Sequence, residues 1–257
     1  MLIVISPAKA LDFKTPRITD SFTMPELLDK SEQLVKRLRK MNPKELSDLM
    51  GISEKLGELN FQRYQTWQLP FTVENAKQAL LAFNGEVFRG LSAWGFSEQQ
   101  LQLAQKRLRI LSGVYGVLRP LDLIQPYRLE MGTKLKMAAT ANLYEFWKNE
   151  IVEKINEAVA ESGSGVLVNL ASAEYFKSID RKKLNAEIVT PEFKDLKNGK
   201  YKIISIYAKR ARGLMSRFII ENEINDAESL QAFEAEGYNF NPRLSKTGNP
   251  VFTRDKF

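Results

Sequence analysis

Two short apolar runs constrain this chain more than anything else in it: Leu2 to Ile5 at the start, and Gly165 to Leu170 in the last third. Runs of this kind read as strands covered on both faces, which belong inside a sheet flanked by helices. Both end abruptly, the first in Ser6-Pro7-Ala8-Lys9 and the second in Ala171-Ser172-Ala173-Glu174. Ligands of α/β sheets collect at the carboxyl ends of such strands. Ser6, Lys9, Asn169, Ser172 and Lys177 therefore make one candidate site if the two strands lie side by side. A desolvated lysine there can act as nucleophile or base on a nucleobase or nucleotide. A solvated loop lysine is the plainer reading of Lys9.

Residues 23–111 read as a series of helices. Thr23-Met24-Pro25-Glu26 resembles a capping box opening a helix to about Lys40, and Asn42-Pro43-Lys44-Glu45 repeats the signal. Further helices are expected over Ser53 to Trp67 and Glu74 to Phe83. Another follows the capping box Ser97-Glu98-Gln99-Gln100, with Leu101, Ala104, Leu108 and Leu111 as its inward stripe. After the middle of the chain, Asn142 to Glu161 is amphipathic. Ala186 to Phe193 and Tyr201 to Tyr207 read as strands joined by Lys197-Asn198-Gly199-Lys200, and a helix runs from Lys209 to about Asn222. Residues 236–257 are weakly patterned. The whole predicts a mixed α/β (α+β) fold and one globular domain over 1–257. Its N-terminal half is mostly helical, with strands at the N-terminus and in the last third.

Between the helix ending at Leu111 and a second helical segment stands Gly113-Val114-Tyr115-Gly116. This looks like a helix-hairpin-helix element over about 97–125, whose free backbone N–H groups grip a phosphate without reading bases. An ordinary turn has the same spacing. The surrounding cations Lys106, Arg109, Arg119 and Arg128 favour a ligand.

The chain has no histidine and no cysteine. That excludes disulfides, a thiolate nucleophile, a Cys/His zinc site and any Ser-His-Asp relay. No Gly-rich dinucleotide fingerprint follows a strand and no P-loop is present, so no cofactor is expected. A metal would have to rest on carboxylates, and no paired Glu-x-x-Glu supports direct iron sequestration; none is expected. No apolar run is long enough for a membrane span. The opening MLIVISPAKA lacks the basic flank of a secretory signal, so the expected compartment is the cytoplasm.

The formal charge of +7 is segregated. Residues 104–136 carry seven Lys/Arg against two acids, residues 177–217 carry twelve against four, and the remainder is net acidic. Two basic segments on an acidic body suggest a polyanionic partner. On that reading Lys9, Lys177, Lys182, Lys183, Lys209, Arg210, Arg212 and Arg217 join the hairpin cations on phosphates. Arg210, Gly213 and Arg217 share one helical stripe, where glycine admits either a phosphate strand or another helix.

ISPAKALDF, LSGVYGVLRPLDLIQPYRLEMG, VNLASAEYFKSI and YKIISIYAKRARGLMSRFIIEN, in that order from Met1 to at least Gly237, resemble the signature segments of the YaaA family of bacterial peroxide-stress proteins. Alanine at Ala10, where threonine is usual, is a minor departure. The resemblance implies a cytoplasmic protein, induced under hydrogen peroxide, that limits damage from intracellular iron. It also implies a mixed α/β fold with a helix-hairpin-helix and a basic cleft for duplex or branched DNA, without an obligate protein partner. A glycosylase of the helix-hairpin-helix class is disfavoured, because the region where its aspartate is expected holds Lys134 and Lys136.

Overall fold

The computed structural model describes residues 1–255. Its strands are β1 (Leu2–Ile5), β2 (Ala10–Leu11), β3 (Lys77–Gln78), β4 (Phe83–Asn84), β5 (Leu108–Ser112), β6 (Gly116–Leu118), β7 (Leu123–Ile124), β8 (Val166–Leu170), β9 (Glu187–Val189), β10 (Glu192–Lys197), β11 (Lys200–Lys202), β12 (Asn239–Phe240) and β13 (Val251–Arg254). The helices are α1 (Leu28–Leu38), α2 (Pro43–Met50), α3 (Glu54–Thr66), α4 (Ala79–Ala82), α5 (Glu86–Leu91), α6 (Glu98–Arg107), α7 (Leu143–Ser162), α8 (Ala173–Phe176) and α9 (Ser205–Glu221). The fold is mixed α/β, with most of the helices before residue 108.

β1 is the central strand of a five-stranded sheet of order β6-β5-β1-β8-β9. It pairs in parallel with β5 on one side, Val4 opposite Arg109, and with β8 on the other, Val4 opposite Asn169. Leu2, Ile3, Val4 and Ile5 are wholly buried, as the continuous apolar run requires. From β1 the chain goes to one neighbour and later to the other, which opens a crevice at the carboxyl ends of these strands. α7 covers the sheet, contacting β1 and β6, with Phe146, Trp147, Ile151, Ile155 and Val159 buried and a left-handed Gly163 ending it.

A second sheet, of order β11-β10-β13-β12, is held by a buried polar knot. The Asp195 carboxylate accepts from Arg254 Nε at 2.7 Å and from the Tyr238 hydroxyl at 2.9 Å. Asn198 and Gly199, both at positive φ, make the tight turn from β10 to β11. α5 and α9 cross with their backbones in contact. A β-carbon on Gly90 would overlap the Arg210 carbonyl oxygen, and one on Gly213 the Val87 carbonyl oxygen. The glycine in the α9 stripe thus serves a neighbouring helix.

Several expected elements differ. α1 begins at Leu28, because Thr23 donates its hydroxyl to Asp122 Oδ1 at 2.6 Å and its N–H to the Leu121 carbonyl at 2.9 Å instead of capping a helix. The segment expected as a helix from Glu74 is a β3 strand paired with β7, then the single turn α4. The Tyr201 to Tyr207 alternation yields only the three residues of β11, and α9 starts four residues before Lys209, at Ser205. α6 stops at Arg107, and Leu108 onward is strand.

Candidate functional site

The Gly113 to Gly116 turn is a β-hairpin between β5 and β6, with Ser112 opposite Gly116, and corrects the helix-hairpin-helix expected at 97–125. Val114 and Tyr115 are completely buried. Trp147 Nε1 donates to the Gly113 carbonyl at 3.0 Å, and the Tyr115 N–H donates to Ser112 Oγ at 3.0 Å. A β-carbon on Gly113 would overlap the Leu129 carbonyl oxygen, and one on Gly116 would lie 2.9 Å from the Trp147 ring. These glycines admit the protein's own core and leave no room for a phosphate.

The cations around that turn are engaged as well. Arg109 is buried, and its Nη1 donates to the carbonyls of Gln105 and Leu108 at 3.0 and 2.9 Å, closing the C-terminus of α6. Arg119 Nη2 donates to Asp122 Oδ1 at 2.9 Å and to the Met24 carbonyl at 2.7 Å. On α9, Arg210 grips both oxygens of Glu236, while Arg217 pairs with Glu221 and bonds the Leu91 and Ser92 carbonyls. Arg109, Arg119, Arg210 and Arg217, expected on DNA, therefore neutralise or cap the protein itself. Lys106, Lys182 and Lys183 are exposed, with Lys183 Nζ donating to Asn149 Oδ1 at 2.9 Å.

The strand-end residues do come together. The parallel pairing of β1 and β8 sets Ser6 beside Ser172: the Ser172 N–H donates to Ser6 Oγ at 2.8 Å, and the two hydroxyl oxygens lie 3.2 Å apart. Beyond them opens a cavity of about 480 Å³ walled by Phe88, Tyr127, Tyr175, Arg128, Lys209 and Arg212, with Lys9 and Glu130 among its lining. Lys9 Nζ lies 2.9 Å from Glu130 Oε2. Asn169 and Lys177 fall in a neighbouring cavity of about 550 Å³, with Arg181, Thr190 and Ile203. There Asn169 Oδ1 accepts the Ala171 N–H at 3.1 Å, and Lys177 Nζ sits 4.9 Å from the centre of the Tyr144 ring. The five polar residues thus divide three and two between adjacent cavities.

Arg212 lines both. Burial pushes its guanidinium pKa down, and among the described residues no carboxylate or carbonyl meets it. Also lining the first cavity, Arg128 reaches Glu130 only at 3.4 Å, and its Nε is buried without an acceptor among the described residues. Tyr127 is held rigidly, its hydroxyl 2.7 Å from Ser112 Oγ, and burial raises its pKa well above the usual phenol value. It is therefore a neutral wall. Phe88, Tyr127 and Glu130 lie in segments remote from the two apolar strands, and nothing in their local sequence marks them.

A helix–turn–helix pair does exist elsewhere. α2 opens on a reciprocal capping box between Asn42 and Glu45 and ends at Gly51, which adopts the left-handed φ of 60°. Ile52 and Ser53 then lead into α3, and the Ser53 side chain makes no capping bond, so the first N–H groups of α3 stay open to solvent. A β-carbon on Gly57 would overlap Ser47 Oγ, which packs the two helices closely. The signal, Met50-Gly51-Ile52-Ser53 between two helical segments of which the first opens on a capping box, is present in the sequence.

Residues 1–244 match the family model described as peroxide stress protein YaaA. A relative from Cellvibrio japonicus (strain Ueda107), described as a UPF0246 protein, is 56% identical over 256 residues, spanning 100% of this chain and 99% of its own length. The four signature segments, the family-model match and the full-length relative agree: the chain belongs to the YaaA family of peroxide stress proteins.

Proposed function

We propose that this protein binds the backbone of duplex or branched DNA, largely without regard to sequence, across the strand-end face. One observation carries this reading. The arginines Arg107, Arg109, Arg119, Arg210 and Arg217 are met by carboxylates or carbonyls of the protein, whereas Lys177, Arg181, Lys209 and Arg212 make no ion pair among the described residues and together line the two adjoining cavities. A cluster of unneutralised charge suits a polyanion. The α2–α3 turn supplies a second grip, its open N–H groups facing solvent like those that hold a phosphate in a helix-hairpin-helix.

Such binding offers a route from peroxide stress to iron. A protein on the DNA backbone releases the counterions condensed there. Ferrous ions held at phosphates are among those displaced, so hydroxyl radicals form farther from the bases. The expected compartment is the cytoplasm, where the chromosome lies; no helix among the described residues is long and apolar enough to cross a membrane.

Fluorescence anisotropy of labelled duplex DNA against salt tests the proposal. Four phosphate contacts give a slope of about −4 in log K against log salt. Lys209→Ala should make it shallower by about one unit, and Arg119→Ala should leave it unchanged. Binding that ignores salt would refute the reading.

A second reading has its own observation, the bonded Ser6 and Ser172 at a sheet crevice with a cavity and Lys9 beside them: an enzyme acting on a nucleobase or nucleotide. Its lysine would be Lys9, whose ammonium is engaged by Glu130. Borohydride trapping of a Lys9–DNA adduct on damaged substrates would establish it, and intact binding with no adduct would remove it.

A further inference from the structure

Four features of the first cavity are not needed to hold a smooth duplex. Its volume of about 480 Å³ suits a single ligand of nucleotide size. Its walls include the aromatic residues Phe88 and Tyr127, both nearly fully buried and fixed in place by packing or hydrogen bonding. The Arg212 guanidinium at its side lacks any partner among the described residues. Finally, Ile206, in the first turn of α9 and one turn before Lys209, is 55% exposed although a soluble helix face does not need isoleucine there.

The Arg212 guanidinium marks an anion site, and the aromatic walls and Ile206 suit an unstacked base. A half-buried guanidinium is unfavourable unless an anion completes it, and a phosphate matches its planar fork. A base turned out of a helix is held against aromatic or apolar walls and read along its hydrogen-bonding edge. The cavity has acceptors for that edge: Glu174 uses Oε1 for the Gly132 N–H at 2.9 Å, which leaves its second oxygen. Proteins that unstack DNA also push an exposed apolar side chain into the base step. Ile206 precedes by one helical turn Lys209, which lines the cavity.

We propose that the first cavity takes one nucleotide turned out of a DNA strand, with its base against Phe88 and Tyr127, its phosphate on Arg212 and Lys209, and Ile206 entering the vacated stack. This rests on the DNA-binding reading and narrows it to a substrate class: duplexes with a base that unstacks easily. Mismatched, damaged and branched DNA share that property, because the unpairing cost is smallest there.

The test compares the full-length protein's affinity for a matched duplex and for one carrying a single central mismatch, by anisotropy at fixed salt. The wild type is expected to prefer the mismatch by roughly tenfold. Arg212→Met, which keeps the side-chain stem, and Ile206→Ser, a surface change, should each reduce that ratio toward one while melting as folded proteins. Equal wild-type affinity for the two duplexes, or a ratio that survives in both variants, overturns the proposal. If no duplex binds at low salt, the DNA-binding reading itself has failed, and calorimetric titration with deoxyadenosine monophosphate decides the cavity alone: binding lost in Arg212→Met keeps it as a nucleotide site, and no binding removes it.

Discussion

The backbone N–H of Ser172 is bonded to the hydroxyl of Ser6 at 2.8 Å, which ties the ends of two neighbouring parallel strands at the mouth of the cavity. Ser6→Ala removes the acceptor and leaves that N–H unpaired in a half-buried site. The cost is about 1–2 kcal/mol, read in thermal denaturation as a fall of several degrees. Deoxynucleotide affinity should fall with it, since the loosened Ser172 is the N-cap residue of α8.

Arg119→Ala should be a stability variant and leave DNA contacts alone. Asp122 is 1% exposed, and burial raises its pKa against the opposing pull of Arg119. Removing the partner of a buried carboxylate costs about 3–5 kcal/mol. Urea denaturation should show that loss, and an Arg119→Ala protein as stable as the wild type would contradict the assignment.

The two glycine turns should part company. Gly116→Ala sets a β-carbon 2.9 Å from the Trp147 ring at a φ of +69°, so the variant should be largely insoluble. Gly51 has a similar φ of +60° but open space around it, so Gly51→Ala costs only the left-handed strain, about 1–2 kcal/mol. Soluble Gly51→Ala with weakened DNA binding is the outcome that the α2–α3 grip requires.

Arg212→Met should raise the melting temperature of the free protein by a few degrees, because it removes a desolvated charge that no group among the described residues balances. A lower melting temperature would reveal a structural duty for that guanidinium.

Asp12 provides a pH probe at the edge of the first cavity's loop. The Thr15 hydroxyl, then the N–H groups of Thr15 and Lys14, bond its carboxylate and hold its pKa down to about 2 from an ordinary 3.8. A depressed carboxyl pKa stabilises the fold above pH 3.8, and that contribution disappears as the pH falls through about 2. An NMR titration should place the Asp12 midpoint near 2, and Thr15→Ala should move it upward.

The sequence was legible where burial writes itself into one short segment. Leu2 to Ile5 and Val166 to Leu170 are covered on both faces, so every residue but Asn169 is apolar and the strand declares itself. The same property hid β5. A fully buried strand has no alternation, and Leu108 and Leu111 happen to continue the three-four-three spacing of Leu101 and Ala104, so the helical stripe ran past the true end of α6. Cations posed a different difficulty. A local excess of charge does not show which arginine meets a carboxylate, and Glu236 lies far along the chain from the Arg210 it neutralises. Ser6 and Ser172 were within reach because strand ends can be read from each strand alone. Phe88 and Tyr127 were not, since only the tertiary fold gathers their segments.

The contact of Gly90 and Gly213 fixes how the cavity can behave. α5 brings Phe88 and α9 brings Arg212 to its wall, and at these two glycines the helices touch backbone to backbone. Such a joint is tightly packed. The opening is therefore a gauge of fixed bore: a guest that fits enters without rearranging its host, and one enlarged by a bulky adduct is turned away at the rim.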